Sequence, residues 1–235
     1  MIDLAPRSLE LFYVMKHKFS GYSIWLEPEQ TSPLNDEVKR LAYECNSRID
    51  GSAHTFAPHC TLLYNLTLED EVQGVRLLHE ARHDFRKVLA KGCNSLEKEG
   101  VVLEEFSKEK LKVCPTHFFY FPYPKSADNG RGFGCVIVML ILESSQLLCK
   151  LQHIVARIFP SDERHGEGAK FQPHMALCYA AEEHSSFLRD EYSRLSSENS
   201  PSSKTLLMPF CGKYVSLWKT EGEIHEWKLV AKIEL

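Results

Sequence analysis

A histidine followed two positions later by a hydroxyl can exchange a proton beside a phosphate. This chain carries such a pair, His59 and Thr61, inside a phrase that recurs. Pro58-His59-Cys60-Thr61-Leu62-Leu63-Tyr64 returns as Pro173-His174-Met175-Ala176-Leu177-Cys178-Tyr179, about half the chain further on, and each copy follows a phenylalanine, Phe56 or Phe171. On a strand, residues i and i+2 face the same way, so His59 and Thr61 present an imidazole and a hydroxyl side by side. An imidazole takes or gives a proton near neutral pH, and a hydroxyl donates to a phosphoryl oxygen. Two such strands facing each other would supply one base and one acid. In-line displacement at phosphorus asks for that pair: one proton leaves the attacking oxygen and another goes to the departing oxygen. Neither step calls for a metal.

The elements that must hold the two phrases can be read from periodicity. Gly21 to Leu26 alternates Tyr22, Ile24 and Leu26 against Ser23 and Trp25, as a half-buried strand does, and Pro28 ends it. Ser32-Pro33 is an N-cap followed by a proline at the first helical position, and Leu34, Val38, Leu41 and Cys45 form one apolar stripe running to about Asp50-Gly51. The first phrase then reads as a strand from Phe56 to Tyr64. Thr67 to Asp70 resembles a capping box for a helix whose stripe is Val72, Val75, Leu78, Ala81, Phe85 and Leu89, closed at Lys91-Gly92.

Short apolar pieces follow at Val101 to Leu103, Leu111 to Val113 and Phe118 to Phe121. A loop over Pro122 to Gly134 separates the halves. Cys135 to Leu142 is wholly apolar and predicts a central buried strand. Ser145 caps a helix with the stripe Leu147, Leu148, Leu151, Ile154, Val155 and Ile158. After a loop over Ser161 to Lys170 comes the second phrase, then a short helix through Phe187, Leu188, Tyr192 and Leu195. Ser196 to Lys204 reads as a loop. Tyr214 to Lys219 and Glu226 to Leu235 read as a hairpin with Trp227, Leu229, Ala231 and Ile233 on one face. The order strand, helix, His-strand, helix thus occurs twice, which predicts a duplicated α+β fold with antiparallel sheets backed by helices. Residues 1–20 are a tail or edge segment. Residues 21–235 form a single bilobal domain, with repeats at about 21–92 and 135–195.

Composition excludes several classes of function. A net charge of −4 offers no basic field to hold a long nucleic acid by its phosphates. The eight cysteines are scattered without a C-x-x-C pair, which points to reduced thiols and a cytoplasmic setting rather than a disulfide framework. No apolar run reaches the ~20 residues of a membrane span. His79-Glu80-Ala81-Arg82-His83 spells a zinc-protease motif. At ~100° per residue, however, both histidines fall outside the stripe of Leu78, Phe85 and Leu89 and point to solvent, so no metal is assigned.

The two His phrases on strands of two similar lobes resemble the 2H phosphoesterase superfamily, whose pattern is a pair of H-x-T/S motifs, and most of all its plant- and yeast-type cyclic phosphodiesterases. The resemblance covers roughly Gly21 to Leu235 and rests on Tyr22-Ser23-Ile24-Trp25-Leu26, Pro58-His59-Cys60-Thr61 and Pro173-His174-Met175. It implies metal-independent hydrolysis of 2′,3′-cyclic nucleotides or ADP-ribose 1″,2″-cyclic phosphate, with no cofactor. It further implies that His59 and His174 are the catalytic acid/base pair, that Thr61 binds the substrate phosphate, and that Tyr179 contacts substrate. The implied partner is a nucleotide or an RNA end, bound by a monomer that needs no membrane or protein partner.

This chain departs from the family pattern at Ala176, where a hydroxyl is usual. A lost hydrogen bond to a charged phosphate is worth on the order of 1.5–3 kcal/mol. Strict alternation also places Tyr179 on the face opposite His174, and it reaches the groove only if the strand twists, bulges or ends before it. Two other readings remain: a 2H enzyme cutting 2′–5′ or 3′–5′ bonds in oligonucleotides, and a nucleotide- or RNA-end-binding module that Ala176 has deprived of turnover.

Overall fold

In a computed structural model, residues 21–48, 57–97, 111–123, 135–160, 171–197, 199–221 and 226–235 are described. The first half runs β1 (Tyr22–Pro28), α1 (Pro33–Arg48), β2 (Cys60–Leu66), α2 (Glu71–Glu97), β3 (Leu111–Val113) and β4 (Pro115–Tyr123). The second runs β5 (Cys135–Leu142), α3 (Gln146–Ile158), β6 (His174–Ala181), a 3-10 turn (Glu182–His184), α4 (Ser185–Leu195), α5 (Pro201–Leu206), β7 (Phe210–Lys219) and β8 (Lys228–Glu234). The succession β1-α1-β2-α2 matches β5-α3-β6-α4, so the duplication read from the sequence is present in the fold.

Two antiparallel sheets result. The larger has the order β2-β1-β7-β3, with β8 also on β7, and the smaller has the order β4-β5-β6. The two phrases therefore lie on edge strands, and β2 and β6 come against each other where the sheets meet. The helices cross over: α1 of the first half leans on β6, and α3 of the second half leans on β2. One hydrophobic cluster accordingly takes Ile24, Leu78 and Phe85 from the first half and Leu140, Leu148 and Met175 from the second. Burying a side chain of this size contributes roughly 1.5–3 kcal/mol, so each half is stabilised by the other.

Several local expectations needed revision. The first His-strand starts at Cys60 and runs to Leu66, later than Phe56 to Tyr64, so His59 sits one residue before the ladder. The cap of α2 is Asp70 rather than Thr67: the Gln73 amide donates to Asp70 Oδ1 at 2.7 Å, and Gln73 Oε1 accepts from the Glu69 amide at 2.8 Å. That helix runs through Gly92 to Glu97, and Val72 in its first turn is exposed. Ser196 to Lys204 is not all loop. Ser200 caps the short helix α5 and Pro201 opens it, repeating the Ser-Pro signature of residues 32–33.

In β8 the register shifts between its pairings with Leu217 and Trp218. Ala231 stands opposite Leu217, while Leu229 stands opposite Trp218 on the other face, exposed. The single apolar face expected for that strand is split. Phe56, the piece Val101 to Leu103 and residues 124–134 and 161–170 lie outside the described residues, as do residues 1–20.

Gly21 fixes the start of β1. Its φ is +71°, and an added Cβ would stand 2.2 Å from the Leu66 carbonyl oxygen, which belongs to the backbone and cannot swing away. Gly21→Ala is expected to lower unfolding free energy by on the order of 2–4 kcal/mol, because the left-handed backbone and the clash both disfavour a side chain. Urea titration against the native chain measures this. A loss under 1 kcal/mol, on the order of an ordinary surface substitution, would mean that the turn relaxes freely.

Candidate active site

His59 and His174 hold their rings in the same way. The Nδ1 of His59 lies 2.8 Å from the Ala57 carbonyl oxygen, and the Nδ1 of His174 lies 3.1 Å from the Gln172 carbonyl oxygen. A carbonyl only accepts, so in both rings Nδ1 carries the proton and donates to the residue two positions back, and Nε2 holds the lone pair. The chain thus writes the same tautomer twice, using a local bond that each phrase makes for itself.

The two rings are also brought near one another. Burial is the main cause that pushes His59 down to about 4, and the His174 ring is close enough to push the same way, while the Ala57 bond and the Glu27 carboxylate oppose it. His174 is likewise lowered by burial, against the bond to Gln172. The His174 backbone amide lies against the Cys60 thiol, and burial raises that thiol to about 12, so Cys60 is no nucleophile at neutral pH.

Strand register explains the rest of the phrase. In β2, Trp25 of β1 pairs with Thr61 and Ile24 pairs with Leu63, so Leu62 is an extra residue. In β6, Met139 of β5 pairs with Ala176 and Val138 pairs with Cys178, so Leu177 is an extra residue at the equivalent position. A bulge lets two successive residues face one side. Leu62 with Leu63, and Leu177 with Cys178, all enter the core. The tyrosine five positions after each histidine therefore returns to the histidine's face. Tyr179 packs there with Ala176 against Ile137 and Met139, and the register places Tyr64 correspondingly. Burial pushes the Tyr64 phenol up to about 12, which keeps it a neutral hydrogen-bonding group.

On the small sheet this face is built in rows. His117, Ile141 and His174 stand opposite one another, then Phe119, Met139 and Ala176, then Phe121, Ile137 and Tyr179. On the large sheet the corresponding face is polar and aromatic. The His59 ring stacks on Trp25 with centroids 3.7 Å apart and planes 11° apart, and Trp218 covers Trp25 at 4.5 Å. Sequence reasoning passed over the group behind this stack. Glu27, 5% exposed, accepts from Ser216 Oγ, from Trp218 Nε1 at 3.3 Å and from Lys232 Nζ. Nothing in the periodicity marks it, since Glu27 stands just before Pro28 and reads as a strand end.

Of the residues read as the site, His59, Thr61 and His174 occupy the ends of β2 and β6 that approach each other, and Tyr179 shares the His174 face. His79 and His83 lie on the exposed side of α2. Among the described residues, no group of three His, Cys, Asp or Glu side chains is placed to hold a metal ion, and no helix is long and apolar enough to cross a membrane.

The neutral state of buried His59 and half-buried His174 makes stability depend on pH. An unfolded histidine titrates near 6.5, whereas folded His59 titrates at about 4. Its contribution is complete above pH 6.5 and is lost as pH falls toward 4, because over that window only the unfolded chain binds the proton. The full loss is about 3 kcal/mol, and His174 acts in the same direction. Urea unfolding at pH 7 and pH 4.5 should show a smaller acid loss in His59→Gln than in the native chain. Equal losses would mean that His59 is not buried neutral.

Residues 20–235 match the family model described as "Cyclic phosphodiesterase-like protein". The structure of Kluyveromyces marxianus Usb1 with uridine monophosphate superposes with a TM-score of 0.47 at 12% identity, covering 92% of this chain and 99% of that one. A second structure of Kluyveromyces marxianus Usb1 gives 0.44 at 12% identity, covering 89% and 96%. No curated protein matches the chain.

Proposed function

The chain belongs to the cyclic phosphodiesterase-like family, and on that premise we propose that it hydrolyses 2′,3′-cyclic phosphates of nucleotides or RNA ends, or ADP-ribose 1″,2″-cyclic phosphate, to phosphomonoesters. The observation that carries this reading is the pair of tautomer-locked imidazoles on neighbouring strand ends. Water attacks phosphorus while one Nε2 takes its proton. The other histidine, protonated, gives a proton to the ester oxygen that leaves, and the ring opens. The buried rings favour neutrality in the empty protein, and the phosphate anion supplies the charge that returns a proton to one of them. Thr61, on the same strand face as His59, donates to a phosphoryl oxygen. Tyr179 borders the substrate from the His174 side. The protein's partner on this reading is a small nucleotide or RNA end, met in the cytoplasm by a monomer.

The test is incubation with each 2′,3′-cyclic nucleotide in EDTA, with the phosphomonoester followed by chromatography. Turnover in chelator supports the two-histidine mechanism, and activity abolished by EDTA and restored by a divalent cation overturns it. Ala176 favours a second reading, in which the site binds the cyclic end and releases it unchanged. Saturable binding without product would establish that reading. A marked preference for oligonucleotides would indicate 2′–5′ or 3′–5′ cleavage instead.

A further inference from the structure

Beneath the Trp25–His59 stack lies a charged group that the proton transfers themselves do not use. Glu27 lies two residues after Trp25 on β1, and the pairing of Leu26 with Cys60 puts it beside His59. Its carboxylate is held from three positions on two further strands. Ser216 Oγ and Trp218 Nε1 donate from β7, and the Lys232 ammonium pairs with it from β8. The Trp218 indole N–H also donates to Ser216 Oγ at 3.0 Å. The Lys232 ammonium rests 4.7 Å from the centre of the Tyr214 ring. The bonds to Trp218 fix an indole that stacks on Trp25, and Trp25 in turn stacks on His59. The Glu27 carboxylate is buried while the Lys232 side chain stays 20% exposed, and an ion pair with a desolvated partner contributes little net stability over apolar side chains of the same volume. Its charges act strongly on neighbours for the same reason.

We propose that Glu27 is a positioning residue for His59, and that the Glu27–Lys232 pair sets the charge the imidazole experiences. Its role in turnover rests on the phosphodiesterase reading above. The Glu27 end of the pair lies beside His59 and favours the imidazolium, while the Lys232 ammonium offsets that field. The other titratable groups around His59 are His174 on β6, Tyr214 on β7, and Tyr64 and the Cys60 thiol on its own strand. His174 disfavours the imidazolium, and the raised phenol of Tyr64 and thiol of Cys60 stay neutral over the range in which His59 titrates. The acid/base behaviour of His59 is therefore set from behind the tryptophan stack, by residues that do not touch substrate.

Removing either partner of a purely structural ion pair would disturb His59 in the same sense, by loosening the stack. Removing either partner of a charge-setting pair moves it in opposite senses. Glu27→Gln keeps an oxygen for Ser216 and Trp218 and deletes the negative charge. Lys232→Met keeps the stem and leaves Glu27 uncompensated. In NMR titrations of the full chain, the His59 imidazole is expected to titrate lower in Glu27→Gln and higher in Lys232→Met. Each shift should be on the order of half a pH unit, with the double variant returning toward the native value. Shifts in the same direction, or none in Lys232→Met, would overturn the proposal. If Glu27→Gln does not fold, the upward shift in Lys232→Met alone decides. The titration needs no substrate, so it stands or falls separately from the activity. With cyclic nucleotide, the acid limb of kcat/KM should follow the NMR shift.

Discussion

Substitution of His174 by alanine is expected to lower kcat on a 2′,3′-cyclic nucleotide by on the order of 10²–10⁴, the usual worth of a positioned acid or base. His59→Ala should cost as much, but by a less clean route. His59 is buried and stacked on Trp25, so its removal also opens a space beside the stack, and KM and folding are expected to change with kcat. His174 opens β6 and is half-buried, so His174→Ala should leave the far-UV CD spectrum and the thermal midpoint close to native. The decisive comparison is the double variant. Two groups that serve the two ends of one displacement act as a unit, and such losses are strongly non-additive. The double variant should therefore be little worse than the poorer single one. Turnover by the double variant within ten-fold of the native rate would exclude both histidines from proton transfer, whatever the family membership.

The repeated phrase was readable because its chemistry is local. A histidine that donates Nδ1 to the carbonyl two residues back needs only its own stretch of chain, and a proline, Pro58 or Pro173, stands just before each histidine. The start of α3 was readable for the same reason, since Ser145 Oγ accepts from the Leu148 amide as a cap should, whereas the caps Asp70 and Ser200 were missed. Period-2 reasoning failed where the strand is not regular. It put Tyr179 opposite His174, and the extra residue Leu177 puts it back. The clue was present in the duplication itself, since a tyrosine five positions after each histidine is the offset that a one-residue bulge brings to the histidine's face. It also failed in β8, where the shift near Leu229 has no counterpart elsewhere to betray it.

The Glu27 network could not be read at all. Lys232 sits between Ala231 and Ile233 in a strand that alternates like any surface strand, and Glu27 precedes a proline that reads as a strand end. What joins them is the pairing of β1 with β7 and of β7 with β8, which sets Ser216 between Trp25 and Lys232. Single-sequence periodicity carries no information on which strands will be neighbours, so a buried ion pair between distant strands looks like two unrelated surface charges.

Ala176→Ser is expected to raise turnover by up to about 10²-fold, making this the rarer kind of prediction, a gain. Ala176 stands to His174 as Thr61 stands to His59, two residues on and on the same strand face. Its cross-strand row holds Met139 and Phe119, and neither can donate to a phosphoryl oxygen. On the phosphodiesterase reading proposed above, the substrate phosphate would then meet the Thr61 hydroxyl on one side and the Ala176 methyl on the other. A donor aimed at charge that develops in the transition state is worth on the order of 10²–10³ in rate when deleted, and restoring one recovers at most that much. Ala176 is only partly buried against Ile137 and Met139, so a serine of nearly the same volume fits without repacking and its hydroxyl is not stranded in the core. The gain should appear in kcat more than in KM, because the bond strengthens as negative charge gathers on the non-bridging oxygens. Steady-state kinetics on one cyclic nucleotide, with His174→Ala/Ala176→Ser as control, measures it. A raised rate that persists in the control would come from somewhere other than the two-histidine site. An unchanged rate in Ala176→Ser would mean that another group already donates where the second phrase lacks its hydroxyl.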